Sequence, residues 1–96
     1  MKTSYVYIMT NCHMGRLYIG VTSNLQKRVF EHRSGTYPDC FTNKYNLHRL
    51  VWYKGFSNIK DAFAFETRIK GWKRNWKLRL IIDMNPDWVD LYDDLS

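Results

Sequence analysis

The distribution of apolar and polar residues predicts two strands at the start of the chain. Residues 4–10, SYVYIMT, are apolar on both faces, which is typical of a strand that lies centrally in its sheet. Residues 16–22, RLYIGVT, alternate, so that Tyr18 and Gly20 share one face of a second strand. A polar loop at 11–15 separates the two runs, and the pattern therefore predicts an antiparallel hairpin.

A helix is predicted to follow the hairpin. Ser23 or Asn24 can cap its first turn, and Gly35 is expected to end it. Leu25 and Val29 are one helical turn apart and should pack inward. The polar stretch after this helix reads as a surface loop.

A third strand and two further helices complete the prediction. The strand covers residues 47–56, and residues 57–85 have a helical pattern that starts at Ser57 or Asn58. Gly71 is expected to divide this run into two helices, and Pro86 to stop the second. Side chains expected to face the core are Ala62, Phe65, Ile69, Trp72, Trp76, Leu80 and Ile81, followed by Trp88, Leu91 and Tyr92 folding back from the last segment.

The charge is distributed very unevenly. The first 82 residues hold all fifteen Lys and Arg residues and four acids, a formal charge of +11, whereas residues 83–96 hold five aspartates and no base. A body this basic favours a polyanionic partner, and nucleic acid, DNA foremost, is the leading one. A membrane surface is the rival, but no basic amphipathic helix with a large exposed apolar face stands out. No apolar run approaches the roughly 20 residues of a membrane span, and no signal peptide is evident, so a soluble, cytoplasmic protein is expected.

The two cysteines, Cys12 and Cys40, form no CxxC pair and are expected to be free thiols in a reducing compartment. Together with His13 and His48 they could form a zinc site on paper. Their spacing matches no zinc-finger pattern, so free thiols are the preferred interpretation.

Two tyrosines and a glycine are the first candidates for chemistry. Tyr18 shares a strand face with Gly20, and Tyr7 lies on the neighbouring strand. Because glycine often marks a close approach of backbone or ligand, two phenols could stand beside one glycine-floored hollow. The alternative is that both tyrosines are ordinary core aromatics of a sheet.

Arg28 and His32 share one face of the first helix. A guanidinium matches two phosphate oxygens, and an imidazole can move protons near neutral pH. The alternative is a solvated helix face on which Glu31 pairs with its neighbours.

Glu66 stands at the edge of the apolar stripe of the next helix, where an acid is costly unless it is paired or binds a cation. A single carboxylate with waters and phosphate oxygens commonly holds Mg²⁺. The alternative is an exposed ion pair with Lys70. Basic side chains beyond it could track phosphates or could merely keep the surface soluble; they include Lys70, Lys73, Arg74 and Lys77.

This combination resembles the GIY-YIG nuclease domain. YVY at 5–7 stands where the family has its first tripeptide, and YIG at 18–20 matches the second unchanged. Arg28 follows ten residues after Tyr18, and Glu66 lies in a later helix, as the family's metal-binding glutamate does. The similarity covers almost the whole chain and is greatest to the small stand-alone bacterial members.

The resemblance implies an α+β fold: a three-stranded antiparallel sheet flanked by helices, as one domain over residues 1–96 with an acidic tail at 83–96. It also implies metal-dependent phosphodiester hydrolysis, in which Glu66 binds Mg²⁺ or Mn²⁺ and Arg28 holds the scissile phosphate. Tyr18 or Tyr7 would position or deprotonate the attacking water while the other phenol supports the phosphate. His32 would carry a proton or contact the phosphate.

The chain departs from the family pattern in two places. Its first tripeptide is Tyr-Val-Tyr, and the asparagine that many members carry after the glutamate has no clear counterpart, although Asn75 is nearby. Larger relatives also carry a second DNA-reading domain, so low sequence specificity is expected here.

Three functions follow from the sequence. The first is an endonuclease that recognises DNA structure rather than sequence. The second is a nucleic-acid-binding module of the same fold with little or no cleavage, which the missing asparagine favours. The third is a protein-interaction domain whose acidic tail masks its own basic face, and binding that ignores salt would favour it.

Overall fold

The computed structural model describes residues 3–12, 15–34 and 48–95, and its framework is one three-stranded antiparallel sheet. The strands are β1 (Ser4–Thr10), β2 (Leu17–Thr22) and β3 (Arg49–Phe56), in the spatial order β2-β1-β3. β1 is central, which is why nearly all of its side chains are buried. The predicted hairpin, the central first strand and the α+β class are confirmed.

In the described ranges, three α-helices accompany the sheet: α1 (Leu25–Ser34), α2 (Ile59–Lys70) and α3 (Arg74–Met84). A short 3₁₀ helix, Leu91–Leu95, closes the described part of the chain. The predicted helix end at Gly35 lies outside the described residues. None of the helices in the described ranges is long and apolar enough to span a bilayer.

Asparagines cap the first two helices. Asn24 Oδ1 accepts a hydrogen bond from the Lys27 backbone N–H at 3.2 Å, and Asn58 Oδ1 accepts one from the Lys60 backbone N–H at 2.8 Å. Each satisfies a backbone donor that a helix leaves free in its first turn. The sequence offered a serine and an asparagine as the cap of each helix, and the asparagine is the cap in both cases.

The chain turns between α2 and α3 at the predicted place. Gly71 itself keeps a right-handed helical conformation, with φ −83° and ψ −7°, and its N–H still bonds back to the last turn of α2. The extended residue is Lys73, with φ −63° and ψ 151°. The division into two helices is therefore confirmed, but it does not depend on the conformational freedom of glycine.

Two hydrophobic clusters hold the layers together, one on each face of the sheet. The first joins the sheet to α2 and α3 and includes Ala62, Ile69 and Ile81, all fully buried. Phe65 and Trp72 pack against it, so the predicted stripe of α2 is confirmed. The second joins the sheet to α1 and to the 3₁₀ helix; its buried members are Tyr7, Met9, Leu25, Val29 and Leu50.

One core residue was predicted wrongly. Trp76 is 60% exposed, although Leu80 and Ile81 of the same helix contact the core as expected. Trp76 and Ile81 are separated by five positions, which is about 140° around a helix of 3.6 residues per turn. Once Ile81 faces inward, Trp76 must face solvent.

The segment after α3 folds back onto the sheet, as predicted. Trp88 is fully buried, and it has a positive φ of 57°. The Asn85 amide donates to the Val51 carbonyl at 3.2 Å and to the Val89 carbonyl at 2.7 Å, while its oxygen accepts from the Val89 N–H at 3.0 Å. The Asp90 carboxylate accepts from the Leu50 N–H at 3.2 Å. Side chains therefore satisfy backbone groups of β3 that no other strand pairs within the described residues.

Candidate active site

Tyr7 and Tyr18 meet over Gly20. Tyr7 lies directly opposite Gly20 in the β1–β2 ladder. A Cβ atom on Gly20 would lie 2.7 Å from Tyr7 Oη and 2.8 Å from Tyr7 Cζ, closer than a side-chain carbon comes to such atoms, and 3.1 Å from Tyr18 Cε2. The absence of a side chain at position 20 is therefore what lets the Tyr7 ring cross the strand and reach its neighbour.

His32 of α1 completes an aromatic cluster with the two tyrosines. Its ring centroid lies 5.9 Å from that of Tyr7 and 5.4 Å from that of Tyr18, and the tyrosine rings are 6.2 Å apart. Tyr7 Oη and His32 Nε2 are 3.0 Å apart and share a hydrogen bond. His32 is only 2% exposed, so a solvated helix face does not describe this residue.

Arg28, one turn before His32, brings a cation to the phenols. Its guanidinium hydrogen-bonds the Tyr7 hydroxyl and also contacts Tyr18, and the bond to Tyr7 raises the pKa of Arg28. The Arg28 side chain is 35% exposed, and its Nη1 lies 3.6 Å from a Glu31 carboxylate oxygen. The pair with Glu31 expected for a solvated face is thus present, but the guanidinium serves the tyrosine cluster as well.

The burial of this cluster fixes its protonation at neutral pH. Burial raises the pKa of Tyr7 well above its usual range, and the hydrogen bond from Arg28 offsets this only in part. Burial, followed by the nearby Arg28 charge, lowers the pKa of His32 to about 4. At pH 7 the cluster therefore contains a protonated Tyr7, a neutral imidazole and a charged guanidinium.

His48 is a neighbour that sequence reasoning did not connect with the site. It lies just before β3, and its charge would further lower the pKa of His32. Its Nε2 atom is buried without a hydrogen-bond partner. No sequence signal links positions 32 and 48, because the contact arises only when β3 joins the sheet.

Glu66 lies on α2, at the side of β2. Its side chain is 16% exposed, and Lys70 Nζ lies 3.3 Å from its Oε2. The expected i, i+4 ion pair is therefore present, but the carboxylate is more buried than a surface pair requires.

Lys70, the ion-pair partner of Glu66, lines a pocket together with Lys77 and Tyr18. A shallow pocket of about 280 Å³, here called the edge pocket, is lined by Leu17, Tyr18, Ile19, Lys70 and Lys77. Lys70 therefore contacts Glu66 and also lines the same pocket as Tyr18. The edge pocket thus brings two lysines and a tyrosine together, a set of residues that suits a phosphate.

The other two residues of the predicted basic surface have different surroundings. Arg74 Nη2 donates to the Gly15 carbonyl at 2.8 Å and so ties the start of α3 to the loop before β2. Lys73 is exposed at the N-cap of α3. Asn75, considered as a counterpart of the family asparagine, is exposed on α3.

The residues present fit one mode of metal binding. Among residues 3–12, 15–34 and 48–95, no cluster of three or more His, Cys, Asp or Glu side chains could hold an ion. Mg²⁺ is usually held by one or two carboxylates, with waters and substrate phosphates completing its shell. Glu66 supplies one such hard oxygen ligand, whereas a closed all-protein site would require more. Cys12 is an exposed free thiol, and the other candidates for a zinc site include His13 and Cys40, which lie outside the described residues.

The fold and the tyrosine cluster together define a class of protein, a small α+β domain that holds a phenol pair and a cation on one face of its sheet. The GIY-YIG catalytic domain profile matches residues 3–79, and the chain belongs to the GIY-YIG family of nuclease domains. The resemblance found in the sequence is thereby confirmed.

Relatives of the same size share most of the chain. A UPF0213 protein of Syntrophus aciditrophicus is 36% identical over 87 residues, covering 91% of this chain and 98% of its own. A UPF0213 protein of Clostridium perfringens is 38% identical over 78 residues, covering 81% and 82%. The solution NMR structure of a UPF0213 protein from Bacillus halodurans superposes with a TM-score of 0.57 at 27% identity, covering 92% of both chains.

Proposed function

We propose that this protein is a divalent-metal-dependent endonuclease that hydrolyses phosphodiester bonds in DNA, guided by DNA structure rather than sequence. The observation that carries the proposal is the Arg28 guanidinium, held against Tyr7 and Tyr18 beside an edge pocket that adds two lysines. This arrangement offers a phosphate a fixed cation, two flanking ammonium groups and a phenol near the phosphorus.

Arg28 binds the scissile phosphate. Its hydrogen bonds to the phenols and the contact with Glu31 restrict the guanidinium to one position, which lowers the entropy cost of holding two phosphate oxygens. The positive charge also stabilises the negative charge that develops on the phosphate oxygens in the transition state. Lys70 and Lys77 hold the neighbouring backbone.

Tyr18 positions or deprotonates the attacking water. Tyr7 is unsuited to that role, because burial raises its pKa and keeps its proton on. The Tyr7 hydroxyl instead supports Arg28 on one side and His32 on the other. His32, neutral at pH 7, holds this phenol rather than acting as an acid.

Glu66 would hold the metal ion, as single carboxylates commonly do for Mg²⁺ at phosphate sites. The ion would lower the pKa of a bound water and neutralise charge on the phosphate. Lys70 must leave Glu66 for this to happen, and its half-exposed side chain is free to turn toward a phosphate as the substrate arrives. A phosphate of the substrate thus replaces the Glu66 carboxylate as the counter-charge of Lys70.

The expectation that the protein recognises DNA structure rather than sequence follows from the groups that would contact the DNA. The cations at the edge pocket are lysines, which bind backbone phosphates, and such contacts position a nucleic acid without reading its bases.

A cleavage assay with a matched pair of variants tests the proposal. Labelled duplex, flap, branched and single-stranded DNA, with RNA for comparison, are incubated with Mg²⁺, Mn²⁺ or a chelator. We expect metal-dependent cleavage by the parent, its loss in Glu66→Gln, and no loss in Asp61→Asn, which alters an exposed carboxylate of the same helix. Parent-like cleavage by Glu66→Gln would contradict the assignment of the metal ligand.

The second candidate is a nucleic-acid-binding module of the same fold that does not cleave. The ion pair that occupies Glu66 favours it. A parent protein that binds DNA in a salt-dependent manner, yet cuts no substrate with either metal, would establish this alternative over the enzyme.

A further inference from the structure

The outward face of α3 carries a pocket that the proposed cleavage does not use. It measures about 290 Å³ and is here called the tryptophan pocket; its lining residues are Trp72, Trp76, Arg79, Leu80 and Asp83. The rings of Trp72 and Trp76 stand nearly perpendicular, 71° apart, with centroids separated by 5.9 Å. The two indole rings therefore line the pocket in nearly perpendicular orientations.

Trp76 is far more exposed than the tryptophans of the core, and its exposure calls for an explanation. Its side chain is 60% exposed, whereas Trp52 and Trp88 are 5% and 0% exposed. A tryptophan presents one of the largest apolar surfaces of any side chain, and an indole left in water gives up most of the stabilisation that burial would provide. An exposed aromatic side chain of this size is typical of a binding surface.

The charges around the pocket indicate what it binds. Arg79 lines it directly, and Lys73, Arg74 and Lys77 lie on the same helix or at its start. Among the described residues of the lining, Asp83 is the one acid. Two indoles and one guanidinium thus stand together on a helix that is basic overall. Nucleic acid offers both features that this face complements, a flat aromatic base and the phosphates that flank it.

We propose that the tryptophan pocket stacks one unpaired base of the nucleic-acid substrate. The proposal rests on the nucleic-acid function proposed above and narrows its substrate class to molecules with a single-stranded segment or an extruded nucleotide. A paired base inside a duplex has both faces covered by its neighbours and cannot enter.

The position of the pocket connects base binding with the phosphate site. Trp76 and Lys77 are adjacent on α3, yet Trp76 faces the tryptophan pocket while Lys77 lines the edge pocket with Tyr18. One helix thus presents two neighbouring faces, one for a base and one for phosphates. Stacking at Trp76 would hold a strand in place as its backbone passes the tyrosine pair.

Binding measurements with three DNA probes test this inference. The probes are a blunt duplex, the same duplex with a single-stranded tail, and the same duplex with a tail of abasic nucleotides, which keeps the phosphates and removes the bases. The variants are Trp76→Ala, Trp76→Phe and, as an exposed aromatic outside the pocket, Phe63→Ala. Affinity is measured at one fixed salt concentration, without metal, together with thermal melts.

We expect the parent to bind the normal tail more tightly than the abasic tail by roughly 5- to 100-fold, the range found for stacking one base. Trp76→Ala should abolish this preference and leave affinity for the blunt duplex unchanged, Trp76→Phe should restore part of it, and Phe63→Ala should bind as the parent does. Tryptophan fluorescence should be quenched by the normal tail and not by the abasic one.

Three results would overturn the inference: equal affinity of the parent for the two tails, an equal loss on all probes in Trp76→Ala, or a parent dimer that Trp76→Ala converts to a monomer. The failure of the proposed function is distinguishable, because a parent that binds none of the three probes would refute both proposals at once.

Discussion

At the scale of single residues, the site depends on two similar side chains that differ in burial. Tyr7 is 1% exposed and is bonded to His32, whereas Tyr18 is half-buried at the edge pocket. Two phenols on neighbouring strands therefore have different roles in the proposed mechanism: Tyr7 supports the site and Tyr18 faces the substrate.

We predict that Tyr18→Phe lowers cleavage by at least about a hundredfold, the usual loss for one positioned proton-transfer group. The ring and its packing remain, so the melting temperature should not change. Single-turnover rates beside thermal melts make the comparison, with Tyr53→Phe as a control at a half-buried phenol elsewhere on the sheet. Normal cleavage at unchanged stability would show that Tyr18 only packs.

His32 should make stability depend on pH. Its pKa falls from 6.5 in an unfolded chain to about 4 in the fold, so only the unfolded state takes up a proton in between. Stability should therefore decline as pH drops from 6.5 to 4, by about 3 kcal/mol in all. Urea denaturation of the parent and of His32→Gln across this range isolates the effect, since the variant should lack this part of the slope. Parallel curves would contradict the burial of a neutral imidazole.

Gly20→Ala should be destabilising, because its Cβ would overlap buried atoms of Tyr7. We expect a cost of about 1–3 kcal/mol, as for other overpacked sites, together with reduced cleavage. Gly71→Ala is the matched control, since its Cβ would meet only the Arg68 carbonyl oxygen, at an ordinary 3.5 Å. Comparable stability of the two variants in urea would show that Tyr7 can move aside.

The sequence was sufficient to place the tyrosines, since strand alternation and the hairpin fix which residues share a face. Alternation could not reveal that Tyr7 is the more buried phenol, because that depends on how closely α1 covers the strand. The burial of His32 and the neighbourhood of His48 likewise arise from tertiary packing. The catalytic roles of these residues stay predictions.

At the scale of secondary-structure elements, the sequence predicted both later helices and the turn between them. The turn was expected at Gly71 because of its flexibility, but the residue with extended backbone is Lys73. The stripe of α2 is buried as its spacing indicates. The error at Trp76 came from assigning Trp76 and Ile81 to the same inward face of α3, although they lie about 140° apart around the helix.

The segment after α3 is held by few polar contacts, and Asn85 makes three of them. We predict that Asn85→Ala destabilises the protein by about 1–3 kcal/mol, because buried backbone groups lose their partners. Asp87→Ala, at an exposed position two residues away, should have little effect. The midpoints of urea denaturation report both changes. An Asn85→Ala protein as stable as the parent would mean that water replaces the amide.

At the scale of the whole molecule, charge is the property that the sequence predicted most directly. A formal charge of +11 over the first 82 residues precedes five aspartates in the last fourteen. The tail does not neutralise the edge pocket, since its 3₁₀ helix packs against the second hydrophobic cluster, on the side of α1.

Binding to DNA should therefore weaken steeply as salt rises. Each neutralised phosphate contributes roughly 0.9 to the slope of log affinity against log salt. We expect the double variant Lys70→Gln and Lys77→Gln to lower that slope by about 2, whereas Lys60→Gln at an exposed site of α2 should leave it nearly unchanged. A slope near zero for the parent would exclude a nucleic-acid surface and favour the protein-interaction domain.

The hydrogen bond from the Leu50 N–H to the Asp90 carboxylate has a consequence for folding during synthesis on the ribosome. Tyr7, Tyr18 and Arg28 all leave the ribosome early, but β3 obtains its side-chain partners only when residues 85 to 90 have been synthesised. A nascent chain that lacks residues 85 to 90 therefore leaves the outer edge of β3 uncovered, with backbone groups that a strand of another chain could pair.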